Sequence, residues 1–285
     1  MTQTVEQQTA PKKYELTDET TNSWDGRTLH RIRALVAIAA IGVSVGDLGG
    51  FVESEGNLDQ SGNAWVYGDA RVYGDARVSG NAWVSGDARV YGNAWVYGDA
   101  RVYGDARVSG NAWVSGDARV YGDAQVSGNA QVYGDARVSG NAQVSGNAQV
   151  YGDARVSGNA RVSGNAQVSG NAKVYGDARV SGNAQVSGNA WVYGDAWVSG
   201  NARVELSIHI GWHAHVGSEN GTLTWFRTNA GVSVNRGCFS GTLDEFRSAV
   251  QKTHGDSVTG QEYRHLIAFI ELRSSQWTHA AEKAA

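Results

Sequence analysis

The 285-residue chain has one proline, one cysteine and one methionine. A single cysteine excludes an internal disulfide framework and a cysteine-rich zinc site, so nothing calls for an oxidising compartment and cytoplasmic folding is expected. A net charge of −4 provides no broad basic field, so nucleic acid is not an expected partner. The most apolar stretch, residues 34–45, is too short to span a bilayer, and the polar N-terminus has no signal-peptide core. Neither a membrane nor a cofactor is therefore expected. Against these scarcities stand 38 glycines, far above ordinary usage, which point to an internal repeat.

The repeat occupies residues 61–204 as 24 uninterrupted hexads, Ser/Tyr-Gly-Asn/Asp-Ala-X-Val. The array contains no Leu, Ile, Pro, Phe, His or Glu, which leaves alanine and valine as its only interior. Alternation places Ala and Val on one side of a short strand and X on the other. Gly-Asn and Gly-Asp tolerate the backbone angles of a sharp corner. Three sides of six residues close an 18-residue triangular coil, so the array makes about eight coils, roughly 38 Å tall at roughly 4.8 Å per coil. One coil cannot bury enough apolar surface to fold alone; stability comes from stacked neighbours, and both ends require caps.

Taking every third hexad sorts the X positions into three faces. The first carries Trp65, Trp83, Arg101, Arg119, Arg137, Arg155, Lys173 and Trp191. The second begins at Arg71 and ends at Trp197, and the third carries Arg77, Trp95, Trp113, Gln131, Gln149, Gln167, Gln185 and Arg203. Arg101, Arg119, Arg137 and Arg155 form a candidate phosphate-binding stripe. Against that, nine of the eleven Asp hexads have Arg at X, and the array nets only +1, which favours arginines compensated by nearby carboxylates. The third face is neutral from Trp95 through Gln185, so Trp95, Trp113, Gln131, Gln149, Gln167 and Gln185 are a candidate contact surface for a second copy or for a ligand such as a carbohydrate. Successive glutamines are expected to form an amide ladder, and neighbouring tryptophans to stack.

Runs such as Val-Tyr-Gly-Asp-Ala-Arg and Val-Ser-Gly-Asn-Ala-Trp resemble the hexapeptide repeats of left-handed β-helix proteins. The resemblance implies the left hand and raises the expectation of a homotrimer. Residues 27–50 and the run 236–246, followed by His254-Gly255, are similar to the leader and C-terminal module of phage and prophage hexapeptide-repeat proteins of unknown function. The expected fold is mainly β: a left-handed parallel β-helix with a small C-terminal α+β module. Its parts are a disordered tail (1–13), a β cap with a degenerate first coil (14–60), the solenoid (61–204), the module (205–275) and a second tail (276–285).

In the module, alternation predicts a strand through Leu206, Ile208, Ile210 and Trp212, followed by Asn-Gly and Asn-Ala-Gly turns that make three antiparallel strands. The box Thr242-Leu-Asp-Glu245 opens one helix, and a second is expected over 261–273. His209, His213 and His215 share the predicted strand face and are weak candidates for a metal, although solvated structural histidines are the favoured reading. Cys238 is expected to be a buried thiol. A hexapeptide acyltransferase using an acyl-coenzyme A donor is the alternative function, but the array lacks both the histidine and the projecting loop that such enzymes use. The function favoured by the sequence is a non-catalytic, self-associating scaffold whose C-terminal module recognises a partner.

Overall fold

The computed structural model describes residues 11–277. It is a β-solenoid with an antiparallel β-hairpin at one end and a four-stranded antiparallel sheet carrying two helices at the other. Strands β1 (Tyr14–Asn22), β2 (Thr28–Ala34) and β3 (Leu48–Val52) precede the array. Each X-Val pair of the array is a two-residue strand, from β4 (Trp65–Val66) to β27 (Arg203–Val204). Array strands 18 residues apart pair in parallel, giving three sheets whose rows are the three faces predicted from the hexads. Pairing of Phe51 with Arg71 and Leu58 with Val78 adds a partial coil before the array, for about nine turns.

Array alanines and valines are fully buried, and they join one continuous core. At the corners all 24 glycines have positive φ, between 57 and 72°. The following Asn or Asp keeps negative φ, which fits a II′-type corner with glycine first. Aromatic residues at the first hexad position stack between coils, as in Tyr103 on Tyr121 and Tyr133 on Tyr151.

The N-terminal cap closes the first coil. Buried Tyr14 meets Trp65 edge-on and donates its hydroxyl to the carbonyls of Leu58 (2.7 Å) and Glu55 (3.0 Å). Of the tail expected over 1–13, residues 1–10 lie outside the described residues. Lys13 is buried, and its Nζ donates to the Ala64 and Ser61 carbonyls. Burial lowers its pKa to about 8.

Beyond the array the chain departs from the sequence reading. Residues Ser207–His209 form a 3-10 turn, so the strand predicted from Leu206 begins at Ile210. Four strands follow, not three: β28 (Ile210–Val216), β29 (Gly221–Thr228), β30 (Gly231–Arg236) and β31 (Phe239–Thr242). Helix α1 (Leu243–His254) starts at the predicted capping box, where Thr242 and Glu245 exchange hydrogen bonds. Helix α2 (Val258–Ser274) starts three residues before the expected position because Ser257 caps it by accepting from the Gly260 N–H. In the tail expected over 276–285, Trp277 is buried and donates to the Ile208 carbonyl, while residues 278–285 lie outside the described residues. No helix among the described residues is long and apolar enough to cross a membrane.

Candidate functional site

The third face is flat and uncharged along its middle. Trp95 and Trp113 stack with ring centroids 5.9 Å apart, as expected, and both are exposed. The amide ladder, however, does not run through Gln131, Gln149, Gln167 and Gln185. It runs along the adjoining corner, where Asn93, Asn111, Asn129, Asn147, Asn165, Asn183 and Asn201 are linked by six Nδ2–H to Oδ1 bonds of 2.9–3.4 Å. The short asparagine stem is held by the corner, whereas glutamine has an extra rotatable bond and projects from the strand. Each amide both donates and accepts, so the chain propagates. A carboxylate only accepts and therefore ends a ladder, as Asp99 does for Asn81 and Asp177 for Asn159.

Arg101, Arg119, Arg137 and Arg155 lie in one parallel row on the first face, but the expected arginine–aspartate contacts are not made. Among the described residues, no array arginine lies in ion-pair contact with an array aspartate; the carboxylate ends close to the corner while the guanidinium projects from the flat of the sheet. Arg101 instead covers the Trp83 ring and Lys173 covers that of Trp191, with the cationic groups 5.0 and 4.4 Å from the ring centroids.

The histidine cluster is dispersed. Among the described residues no three His, Cys, Asp or Glu side chains converge on a metal position. His209 belongs to the 3-10 turn and is buried. A bulge between His213 and Val216 puts His215 at φ 59°, which breaks the alternation that was to place His213 and His215 on one face. Cys238 is exposed, contrary to expectation, because it lies in the tight turn between β30 and β31.

His209 anchors the junction instead. Its Nδ1 accepts from the Glu205 and Leu206 N–H groups, and the Arg227 guanidinium lies 3.4 Å from Nε2. Burial, then the Arg227 charge, lowers its pKa to about 4. The unfolded chain therefore takes up this proton near pH 6.5 while the folded chain does not. The resulting stability is complete above pH 6.5 and is lost as the pH falls towards 4, with a slope of at most about 1.4 kcal/mol per unit, the one-proton limit. Thermal melts should show the stability gap between the wild type and His209→Asn narrowing from pH 7 to 4.5; a constant gap would exclude the linkage.

The module docks on the last coil by hydrogen bonds from buried side chains. Asn235 donates to the Trp197 carbonyl, and Thr224 accepts the Trp197 N–H. Arg227 donates to the Arg203 carbonyl and pairs with Glu205.

Docking creates a cleft of about 470 Å³ that the sequence reading missed, with Trp191, Tyr193, Trp212, His213, Trp225, Phe269 and Arg273 among its lining residues. Trp212 reaches back over the last coils, its indole meeting Tyr193 edge-on at 4.2 Å. Glycines make room: a Cβ on Gly194 would lie 3.1 Å from the Trp212 Nε1, and one on Gly211 would lie 2.1 Å from the Trp225 ring. Phe269 and Arg273 are four residues apart on α2 and so share a face. Exposed Phe269, standing outside the inward set of Tyr263, Leu266, Ile267 and Ile270, was the one sequence signal for this cleft.

Eight stretches of 17 residues match the family model of the YdcK beta solenoid repeat: 70–86, 82–98, 100–116, 112–128, 130–146, 148–164, 154–170 and 184–200. The array is a YdcK-type β-solenoid repeat. Each matched stretch is one coil less a residue, and all eight lie within 61–204, so the likeness concerns the YdcK-type array and not the ends. No curated protein matches the chain.

Proposed function

We propose that this YdcK-type chain is a non-catalytic scaffold in a phage or prophage setting, in which the array sets a distance and the C-terminal module recognises a partner or ligand. The observation that carries the reading is the aromatic cleft at the one place where the uniform rod meets a differently built module. Trp95, Trp113 and the uncharged glutamine row supply a face for self-association, with a homotrimer as the expected assembly. The asparagine ladder stiffens its edge. The acyl-transfer alternative requires an oriented histidine. The array has none, and His213 packs against Trp225 and Phe269 with no hydrogen-bond partner among the described residues.

Light scattering of the full chain should give an oligomer. Gln149→Arg with Gln167→Arg, which leaves the alanine and valine core intact, should shift the assembly to monomer by placing like charges on a face meant to be neutral. A wild-type chain that stays monomeric at every concentration overturns the self-association.

A further inference from the structure

The junction cleft has a chemistry that narrows what it takes, given that this junction is the recognition point. Three of its side chains, Trp191, Trp212 and Trp225, carry indole N–H groups that make no hydrogen bond within the described chain. Trp277, by contrast, donates to Ile208 at 2.6 Å. Arg273 is exposed, and its guanidinium has neither an ion pair nor a hydrogen-bond partner among the described residues. Among the described residues no carboxylate lines the cleft, and Lys173, just outside the lining, lies over the Trp191 ring. The site therefore offers apolar faces, unused donors and positive charge together.

Each feature excludes a class of occupant. A purely apolar ligand would strip water from the indole donors and replace it with nothing, at a cost of about 1–3 kcal/mol per donor. A quaternary ammonium, which aromatic cages otherwise favour, is opposed by Arg273 and Lys173. A flat nucleobase is best held between parallel plates, but the ring pairs here cross steeply: Tyr193 with Trp212 at 88°, Trp225 with Phe269 at 90° and His213 with Phe269 at 63°. Only His213 and Trp225 approach parallel, at 29°. Faces turned in several directions suit a puckered ring that presents C–H groups on both sides and hydroxyls around its rim.

We infer that the cleft binds a pyranose oligosaccharide bearing a carboxylate, with Trp191 and Trp212 covering the sugar faces and Arg273 holding the acid. The planar guanidinium fork matches a carboxylate in a two-bonded geometry that a neutral hydroxyl does not reproduce. Lys173 adds long-range attraction that weakens with salt.

Calorimetric titration of the full chain with trigalacturonate, maltotriose and adenosine monophosphate tests this. Trigalacturonate should bind saturably and at least about tenfold more tightly than the neutral sugar, equivalent to about 1.4 kcal/mol. Arg273→Gln should erase that preference, and Trp191→Ala should weaken both sugars about tenfold. Arg273 is exposed, so Arg273→Gln should melt at the wild-type temperature, whereas Trp191→Ala also gives up the Lys173 contact and should melt slightly lower while staying folded. No saturable uronate binding, equal binding of maltotriose, tighter binding of the nucleotide, or wild-type affinity in both variants would each overturn the inference. Light scattering on the same samples separates the two readings: an oligomer that ignores the acidic sugar sinks this inference alone, and a monomer that binds it sinks only the self-association.

Discussion

Tyr14→Ala is expected to cost about 3–5 kcal/mol, in the range of aromatic truncations in closed cores. Tyr14 is fully buried, covers Trp65 edge-on and supplies the hydroxyl to two carbonyls beside the first coil. Removing it strands the Leu58 carbonyl as well as the indole face. Tyr14→Phe isolates the polar part and should cost about 1–3 kcal/mol, the penalty of an unsatisfied buried acceptor. The loss should be local, because in a stacked array each coil is stabilised mainly by its neighbours. Hydrogen exchange should therefore quicken over residues 14–66 and remain slow near Gln149. The opened coil also presents unpaired strand edges, so the variant should associate as its concentration rises. A uniform loss of protection along the whole array would show that the cap is not an independent end.

The distribution of what was readable follows from the same physics. In the array every local preference agrees: glycine at each positive-φ corner, alanine and valine at each inward position, and a strict period of six, so coil size, rows and core could be read directly. Side-chain partners were less legible, because they depend on how a stem is held. The amide ladder chose the corner asparagines over Gln131 and Gln149, and Arg77 and Arg101 chose tryptophan rings over the aspartates that accompany them in sequence. In the module the period of two was misleading at Leu206 and Ile208, since the chain must first turn out of the last coil before β28 can form. The bulge at His215 likewise leaves no mark in an alternating pattern. The aromatic cleft was least accessible, because its lining comes from Trp191, Trp212, Trp225 and Phe269, spread over nearly 80 residues and united only by docking.

Gly128→Ala and Gly200→Ala separate the two reasons for glycine at the corners. Both positions have φ above 60°, where an alanine costs about 1–2 kcal/mol. Gly200 has open space around its added Cβ, so this is its whole penalty. A Cβ on Gly128 would lie 3.0 Å from both the N and O atoms of Gly146 in the next coil. Gly146 cannot easily retreat, because its corner is tied to the next coil by the Asn147 N–H to Gly164 carbonyl bond of 2.8 Å. Overpacking of this kind adds about 1–3 kcal/mol, so denaturant melts should place Gly128→Ala below Gly200→Ala by that amount. The defect also lies mid-array, across the bond from the Asn129 N–H to the Gly146 carbonyl and the Asn129–Asn147 amide link. Spreading two coils there weakens the coupling that lets the array unfold as one unit, so hydrogen exchange should rise first around residues 128–147. Equal destabilisation by the two variants would mean that the corner glycines answer only to backbone angle, and that the close stacking of coils carries no energy of its own.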